Sequence, residues 1–187
     1  MIVTDKGEFG IAVITVRALV DLLSYADLVV ELVNTRDPAV DALRDLDTLR
    51  ELLLIRPHLM GRVSHRDLEA MRQLRQNLRA VFEAASDGDH DRAADGVNQL
   101  LLRHPIHPLL SNHDGRNWHL HLIEDGSVPD RYAAGAAMGL GLVIGTRGFR
   151  ALGVCDADNC DNILLAEDVR KTRRYCSIEC RKRSSGQ

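Results

Sequence analysis

The four cysteines of the chain constrain its fold more than any other feature. Cys155, Cys160, Cys176 and Cys180 form two close pairs, C-x4-C and C-x3-C, with fifteen residues between the pairs. The 154 residues that precede them contain no cysteine. Two pairs at this separation can place four thiolates on one tetrahedral Zn²⁺. The spacing therefore predicts a zinc site; a disulfide framework and four unrelated buried thiols are the alternatives.

The residues around each pair predict its local structure. Ser177 can cap a helix, Glu179 suits the first helical turn, and Cys180 lies one turn after Cys176. The first pair encloses residues 156–159, which are mostly turn formers. A knuckle followed by a helix start is typical of a treble-clef-like finger. Because four thiolates leave no open coordination position, we interpret the site as structural rather than catalytic.

Basic residues flank the second cysteine pair and predict contact with a polyanion, for which DNA phosphates are the expected partner. They are Arg170, Lys171, Arg173, Arg174, Arg181, Lys182 and Arg183. Residues 150–187 carry 8 Lys and Arg against 6 Asp and Glu, whereas the whole chain has a net charge of −3. The positive charge is therefore local to the C-terminal segment, and the rest of the chain is acidic.

This C-terminal pattern resembles the CGNR zinc-finger family. In that family a C-x4-C pair and a short linker precede Arg-Arg-Trp-Cys-Ser and then Cys-Gly-Asn-Arg. The matching stretches here are residues 173–177 and 180–183, with Tyr175 in place of Trp and Arg181-Lys182 in place of Gly-Asn. The usual Phe and Asp of the linker fall on Leu164 and Ala166. The resemblance implies the same four zinc ligands, but it does not extend to the residues that name the family.

Length and composition set the domain organisation. A chain of 187 residues with 45% apolar residues can hold one medium domain and a small module. With only 4% aromatic residues, its core must be built from Leu, Val and Ala. We predict a mainly α fold with a small β element (α+β): a helical domain over residues 1–149 and the four-cysteine finger over residues 150–187.

Helical periodicity and capping signals support that fold class. Residues 17–34 show a narrow polar stripe on an otherwise apolar helix. Asp37-Pro38 predicts the start of a second helix that buries Leu43, and Pro57 marks its end. Ser64 and Asp67 form a capping-box-like start for a third, which buries these residues: Leu68, Met71, Leu74, Leu78, Val81 and Phe82.

The remaining elements follow in the same way. Residues 91–102 predict a helix with Ala94, Val97, Leu100 and Leu101 inward, and Pro129 opens the last long helix, which extends to about residue 145. Its glycine pairs Gly135/Gly139 and Gly141/Gly145 favour close packing of another helix in a soluble core. Short alternating or β-branched runs at residues 118–123 and 11–16 predict strands, although the second run could instead open a helix.

Three arginines of the third helix, Arg72, Arg75 and Arg79, share one face. We interpret this face as a solvated surface, with nucleic-acid contact as the less favoured alternative.

Residues 28–125 also resemble ABATE, the domain usually found before a CGNR finger. The resemblance lies in Leu32-Val33-Asn34-Thr35, then Leu74-Arg75, Leu78-Arg79 and Phe82, and finally Asn98 and Trp118 before an alternating strand. Families of this architecture are described as candidate transcription regulators. The resemblance therefore implies regulation of transcription, with the larger domain for sensing a small-molecule effector or for forming a homodimer.

The sequence makes a catalytic role unexpected. It lacks the glycine-rich phosphate-binding motifs and the nucleophile elbow, and the zinc site uses every thiol. We therefore expect a protein that is not an enzyme, binds zinc and DNA, does not contact a membrane and resides in the cytoplasm. A protein-interaction finger without DNA binding is the main alternative, and an enzyme whose pocket is not visible in the sequence is the other.

Overall fold

The computed structural model describes residues 24–36, 41–111, 119–122, 125–166 and 174–185. Helices α1 to α4 span Asp27–Val33, Leu46–Leu54, His65–Ser86 and His90–Arg103, and α5 and α6 span Val128–Arg147 and Ile178–Ser185. Two antiparallel hairpins complete the fold, β1 (Leu109–Ser111) with β2 (His119–His121), and β3 (Leu152–Val154) with β4 (Ile163–Leu165). The predicted class, mainly helical with small β elements, is confirmed.

Reciprocal capping boxes define where the helices start. Ser64 accepts from the amide of Asp67 while the Asp67 carboxylate accepts from the amide of Ser64 at 2.8 Å, as the sequence predicts for α3. Ser127 and Asp130 form the same arrangement at the start of α5, and Pro129 occupies its first turn. Because a cap needs only residues three apart, these starts depend on local sequence alone.

The predicted start of the second helix is wrong. Residues 37–40 lie outside the described ranges, but α2 begins only at Leu46, where the Asp45 carboxylate accepts from the amides of Asp47 and Thr48. Before it, Arg36 pairs with Asp41 across an isolated antiparallel bridge. Leu43 is buried as predicted, yet it lies outside the helix. The capping box at Asp45 therefore sets the start of α2, after the bridge at Asp41.

The core lies between α1, α3, α4 and α5, and it is aliphatic as the composition requires. All six apolar residues predicted to be buried on α3 are buried, but on α4 the inward alanine is Ala93 rather than Ala94. Tyr132 is fully buried, and its hydroxyl donates to the carbonyl of Leu28 at 2.7 Å. Burial raises the pKa of Tyr132, so this phenol stays protonated and keeps its donor.

One of the two glycine pairs permits close packing. A Cβ at Gly139 would lie 2.3 Å from the amide nitrogen of Ala26, and one at Gly135 would lie 2.8 Å from the Tyr25 ring. The backbone of α5 therefore touches the 3₁₀ turn Ser24–Ala26 that precedes α1. A Cβ at Gly141 would make only an ordinary contact with Val97, 4.0 Å away, and one at Gly145 would meet nothing within 4 Å, so that part of the expectation is wrong.

The arginine face of α3 is neither a solvated surface nor a free nucleic-acid surface. Arg75 is buried and forms a two-fold ion pair with Asp41, with both distances 2.6 Å. Arg72 donates to the backbone carbonyls of Leu43 and Arg44. The interpretation from sequence failed because the partners of these side chains lie about thirty residues away along the chain.

The described helices differ in length and in apolar content. Among them, none is both long and apolar enough to cross a bilayer.

Candidate metal centre

The four cysteines meet at one point, although they come from two separate segments. Their Sγ atoms all lie within 4.8 Å of one another. The Cys160 and Cys176 sulfurs are 3.6 Å apart, and those of Cys176 and Cys180 are 3.5 Å apart. Zinc–sulfur bonds of about 2.3 Å would place tetrahedral thiolates about 3.8 Å apart. The cluster therefore has the size of a four-sulfur metal site, and none of its members is in a disulfide.

A knuckle presents the first pair. β3 ends at Val154, and the chain turns through residues 155–160 before β4 begins. Asn159 adopts a left-handed conformation with φ of 57°, which asparagine tolerates better than most residues. The amide of Cys160 donates to the carbonyl of Ala157 at 3.1 Å, which closes the turn. The turn-forming residues between the two cysteines thus do what the sequence predicts.

The second pair sits at the start of α6, also as predicted. The Ser177 hydroxyl accepts from the amide of Cys180 at 3.1 Å, and the Ser177 carbonyl accepts from the amide of Arg181. Cys176 therefore precedes the helix and Cys180 lies in its first turn. The two segments are also joined by the backbone, because the amide of Asp156 donates to the carbonyl of Arg174 at 2.9 Å.

Several N–H groups point at the sulfurs. The amide of Cys176 donates to the Cys155 sulfur at 3.4 Å, and the Asn162 side chain donates to the Cys176 sulfur at 3.6 Å. Arg183 donates to the Cys180 sulfur at 3.0 Å. Donors of this kind orient ligands and stabilise their negative charge. They are what a site of four thiolates requires, and the sequence alone did not identify Asn162.

The environment separates the acidities of the thiols. The Arg183 guanidinium lowers the pKa of Cys180 to about 6, whereas burial raises the pKa of Cys160 to about 12. Burial raises the pKa of Cys176 as well. Thiols must lose their protons to bind a metal, so Cys180 is prepared for this step, whereas Cys160 and Cys176 need the cation itself.

The predicted DNA-contacting residues are placed differently from one another. Arg170, Lys171 and Arg173 lie outside the described residues. Arg174 is paired with Asp156 at 2.7 Å and lies over the Tyr175 ring. Arg183 is bound to the Cys180 sulfur. Arg181 and Lys182 are exposed on α6, and their side chains have no ion pair or hydrogen bond to the described part of the chain.

The finger is joined to the helical body by contacts that the sequence did not predict. The Asn34 side chain donates to the carbonyl of Ile163 at 3.0 Å and accepts from its amide at 2.8 Å, across 129 positions. Arg79 donates to the carbonyl of Asp161 at 2.7 Å. Leu152 and Ile163 are buried in the core of the helical body. The β3–β4 hairpin therefore belongs to that core, while Cys155, Ala157 and Cys180 form a small cluster of their own.

Fold and site together define a class of protein: a helical domain followed by a four-cysteine cluster that could hold a metal ion. A family model described as "ABATE: Putative stress-induced transcription regulator" matches residues 26–145. That match spans well over half of the chain, so the chain belongs to the ABATE family. The cysteine cluster that follows is consistent with a CGNR-type finger. No curated protein matches the chain closely enough to count as a relative.

Proposed function

We propose that the protein is a transcription regulator that binds one Zn²⁺ through Cys155, Cys160, Cys176 and Cys180 and binds DNA through the finger. The observation that carries the metal proposal is the convergence of four sulfurs within 4.8 Å. Sites made only of thiolates suit zinc or iron–sulfur clusters, and a single metal ion at this spacing favours zinc. Metal analysis of the purified protein should find one zinc per chain and no iron.

The proposed role of the metal is structural, and the protein is proposed not to be an enzyme. Four protein ligands would leave zinc no position for a substrate. Only a few residues are buried in the small cysteine cluster, so apolar packing there is slight. Metal binding would therefore supply most of the free energy that orders α6.

DNA binding is supported by the position of Arg181 and Lys182. The Cys180 side chain faces the cysteine cluster, and the side chains of Arg181 and Lys182 point away from it into solvent. Their free cationic groups can bind phosphates without breaking an existing ion pair. Arg183 and Arg174 already bind Cys180 and Asp156, so their proposed contribution is to hold the finger together as well as to add positive charge.

The salt dependence of binding to random duplex DNA tests this role. If three to five phosphates are neutralised, log K should fall against log salt concentration with a slope of about −3 to −4. Replacing Arg181 and Lys182 by Ala should reduce the slope by about 2 and weaken all sequences alike. The exposed Arg92 of α4, replaced by Ala, is a control of the same chemistry on the body. Absence of binding at low salt would reject the DNA proposal.

A protein-interaction finger is the second candidate, and one observation favours it. Ile178 is 67% exposed at the start of α6, beside the cysteine cluster. An exposed branched apolar side chain suits a protein partner better than a phosphate backbone. Two fingers of a homodimer could also present such a surface, which is how tight site-specific DNA binding would be reached. A variant with Ile178→Ala that keeps the affinity for random duplex DNA but loses dimerisation would separate the two roles.

A further inference from the structure

A cavity of about 490 Å³ opens on the helical body, away from the finger. It lies where the first turns of α3 and α5 meet the last turn of α4. Volumes of 300 to 1,000 Å³ are typical of sites for small organic ligands. The cavity is therefore large enough for a molecule of roughly ten to twenty non-hydrogen atoms.

Its floor is apolar and rigid. Leu74 of α3, Leu100 of α4 and Ala133 of α5 line it, and each of them is buried in the main core. Pro129 closes one side. A floor built by three packed helices is already formed, so a ligand would not have to order it. Such a surface favours the apolar part of a ligand.

The rim offers unpaired positive charge. Arg66 and Arg103 line the cavity and are exposed. Neither side chain has an ion pair or a hydrogen bond within the described ranges. The two carboxylates of the rim, Asp67 and Asp130, are occupied by the capping boxes of α3 and α5, where the helix dipole favours their charge. Asp130 also contacts His104 Nδ1 at 3.1 Å. The groups left for a ligand are therefore mainly cations.

A second cavity of about 490 Å³ adjoins the first and shares Arg103, His104 and Asp130 with it. Arg103 therefore borders both spaces, and the His104–Asp130 pair stands between them. A ligand longer than the first cavity could continue past that pair.

We propose that this cleft binds a small organic carboxylate with an apolar body. The carboxylate would pair with Arg66 and Arg103, and the apolar body would lie on Leu74, Leu100 and Ala133. Nucleic acid is a poorer fit, because a buried apolar floor adds nothing to a phosphate contact. The inference goes beyond the proposed function and does not depend on DNA binding by the finger.

Benzoate and hexanoate are suitable probes, since one carries an aromatic and the other an aliphatic body. Titration calorimetry with the full, metal-loaded chain should detect binding of at least one of them. Benzamide, which has the same ring without the charge, should bind at least tenfold more weakly. The double variant Arg66→Gln/Arg103→Gln should lose about tenfold in affinity, because each partly exposed ion pair contributes modestly.

Two further variants control for a loss of binding that is caused by a change in folding. Ala70→Leu adds volume at an exposed position that lines the cavity, so it should weaken binding without removing a charge. Arg92→Gln removes an arginine from the same helix as Arg103 but outside the cavity, and it should bind the probe as the parent chain does. The proposal is overturned if neither carboxylate binds, if Ala70→Leu and the double variant bind unchanged, or if inorganic phosphate binds as well as the carboxylates. DNA affinity measured without any probe keeps this outcome separate from that of the proposed function.

Discussion

Different forces hold the two halves of the finger, the β3–β4 hairpin and the cysteine cluster. The hairpin buries Leu152 and Ile163 in the helical body and is bound there by Asn34 and Arg79. The cysteine cluster has few buried apolar neighbours and depends on its four sulfurs. The protein core therefore stabilises one half of the finger, and a bound metal ion is proposed to stabilise the other. The two halves should respond differently to mutation and to loss of the metal.

The largest expected effect is that of removing a ligand. Cys176→Ser, or treatment with a chelator, should leave α6 unfolded, because structural zinc contributes about 10–16 kcal/mol to the folding of small fingers. The helical body should keep a cooperative melt. Limited proteolysis followed by mass spectrometry would show cleavage after residue 166 and protection before it. A C-terminal tail that resists protease in the variant would contradict the proposed dependence on metal.

Mutation of a buried hairpin residue should also have a large effect, in this case on the stability of the helical body. Ile163→Ala should lower the free energy of unfolding by about 2–5 kcal/mol, because Ile163 is only 1% exposed in the main core. Ile178→Ala removes the same atoms from a side chain that is 67% exposed, so it should change stability by less than about 0.5 kcal/mol. Urea denaturation of both variants tests the difference. Equal effects would place the hairpin outside the body's core.

Two truncated chains, one without and one with the β3–β4 hairpin, measure how much the hairpin stabilises the helical body. Residues 1–149 are predicted to fold alone, because their helices carry their own caps and a consistent apolar pattern. A chain of residues 1–166 restores the hairpin, including Leu152 and Ile163, and should be more stable than the shorter one. Thermal melts of the two chains give the contribution of the hairpin directly. If the shorter chain aggregates or lacks a cooperative melt, the predicted domain boundary fails.

A smaller effect is expected at the ion pair between Asp41 and Arg75. Asp41→Asn should cost about 1–2 kcal/mol, less than a fully buried pair, because the Asp41 side chain is 40% exposed. Arg75 lowers the pKa of Asp41, so the stability from this pair is present above the ordinary pKa near 4 and is lost as pH falls through the lowered value. The variant should show a flatter decline of stability in that acid range. An unchanged pH profile would argue against the pair.

An effect of similar size is expected at the link between the helical body and the hairpin. Asn34→Ala removes two hydrogen bonds to Ile163 and should cost about 1–2 kcal/mol. Asn34→Asp keeps the acceptor for the Ile163 amide but places a carboxylate oxygen against the Ile163 carbonyl, so at neutral pH it should cost at least as much as the alanine variant. Hydrogen exchange at the amide of Ile163 reports this contact locally. Exchange that is equally slow in the alanine variant would show that Asn34 does not hold the hairpin.

Features that depend on residues close together in the chain can be predicted from the sequence. The cysteine pairs, the Ser64 and Ser127 caps and the start of α6 each involve residues three to five positions apart, whose geometry is nearly the same in any fold. The six large apolar residues on the buried face of α3 were predicted for the same reason, but the buried Ala84 and Ala85 were not. The family resemblance also came from short motifs, and the matched residues 26–145 confirm it.

Only the tertiary structure decided which long-range partners those elements meet. The sequence pattern places Arg75 on the protein surface, yet its side chain is buried and forms an ion pair with Asp41. The sequence places Asn34 at the end of a helix, yet its side chain hydrogen-bonds to the backbone of Ile163. The basic residues of the finger also differ from one another, because Arg183 donates to the Cys180 sulfur whereas Arg181 is exposed to solvent. Polar side chains have several possible partners of similar energy, so their choice depends on which groups the completed core brings within about 3 Å.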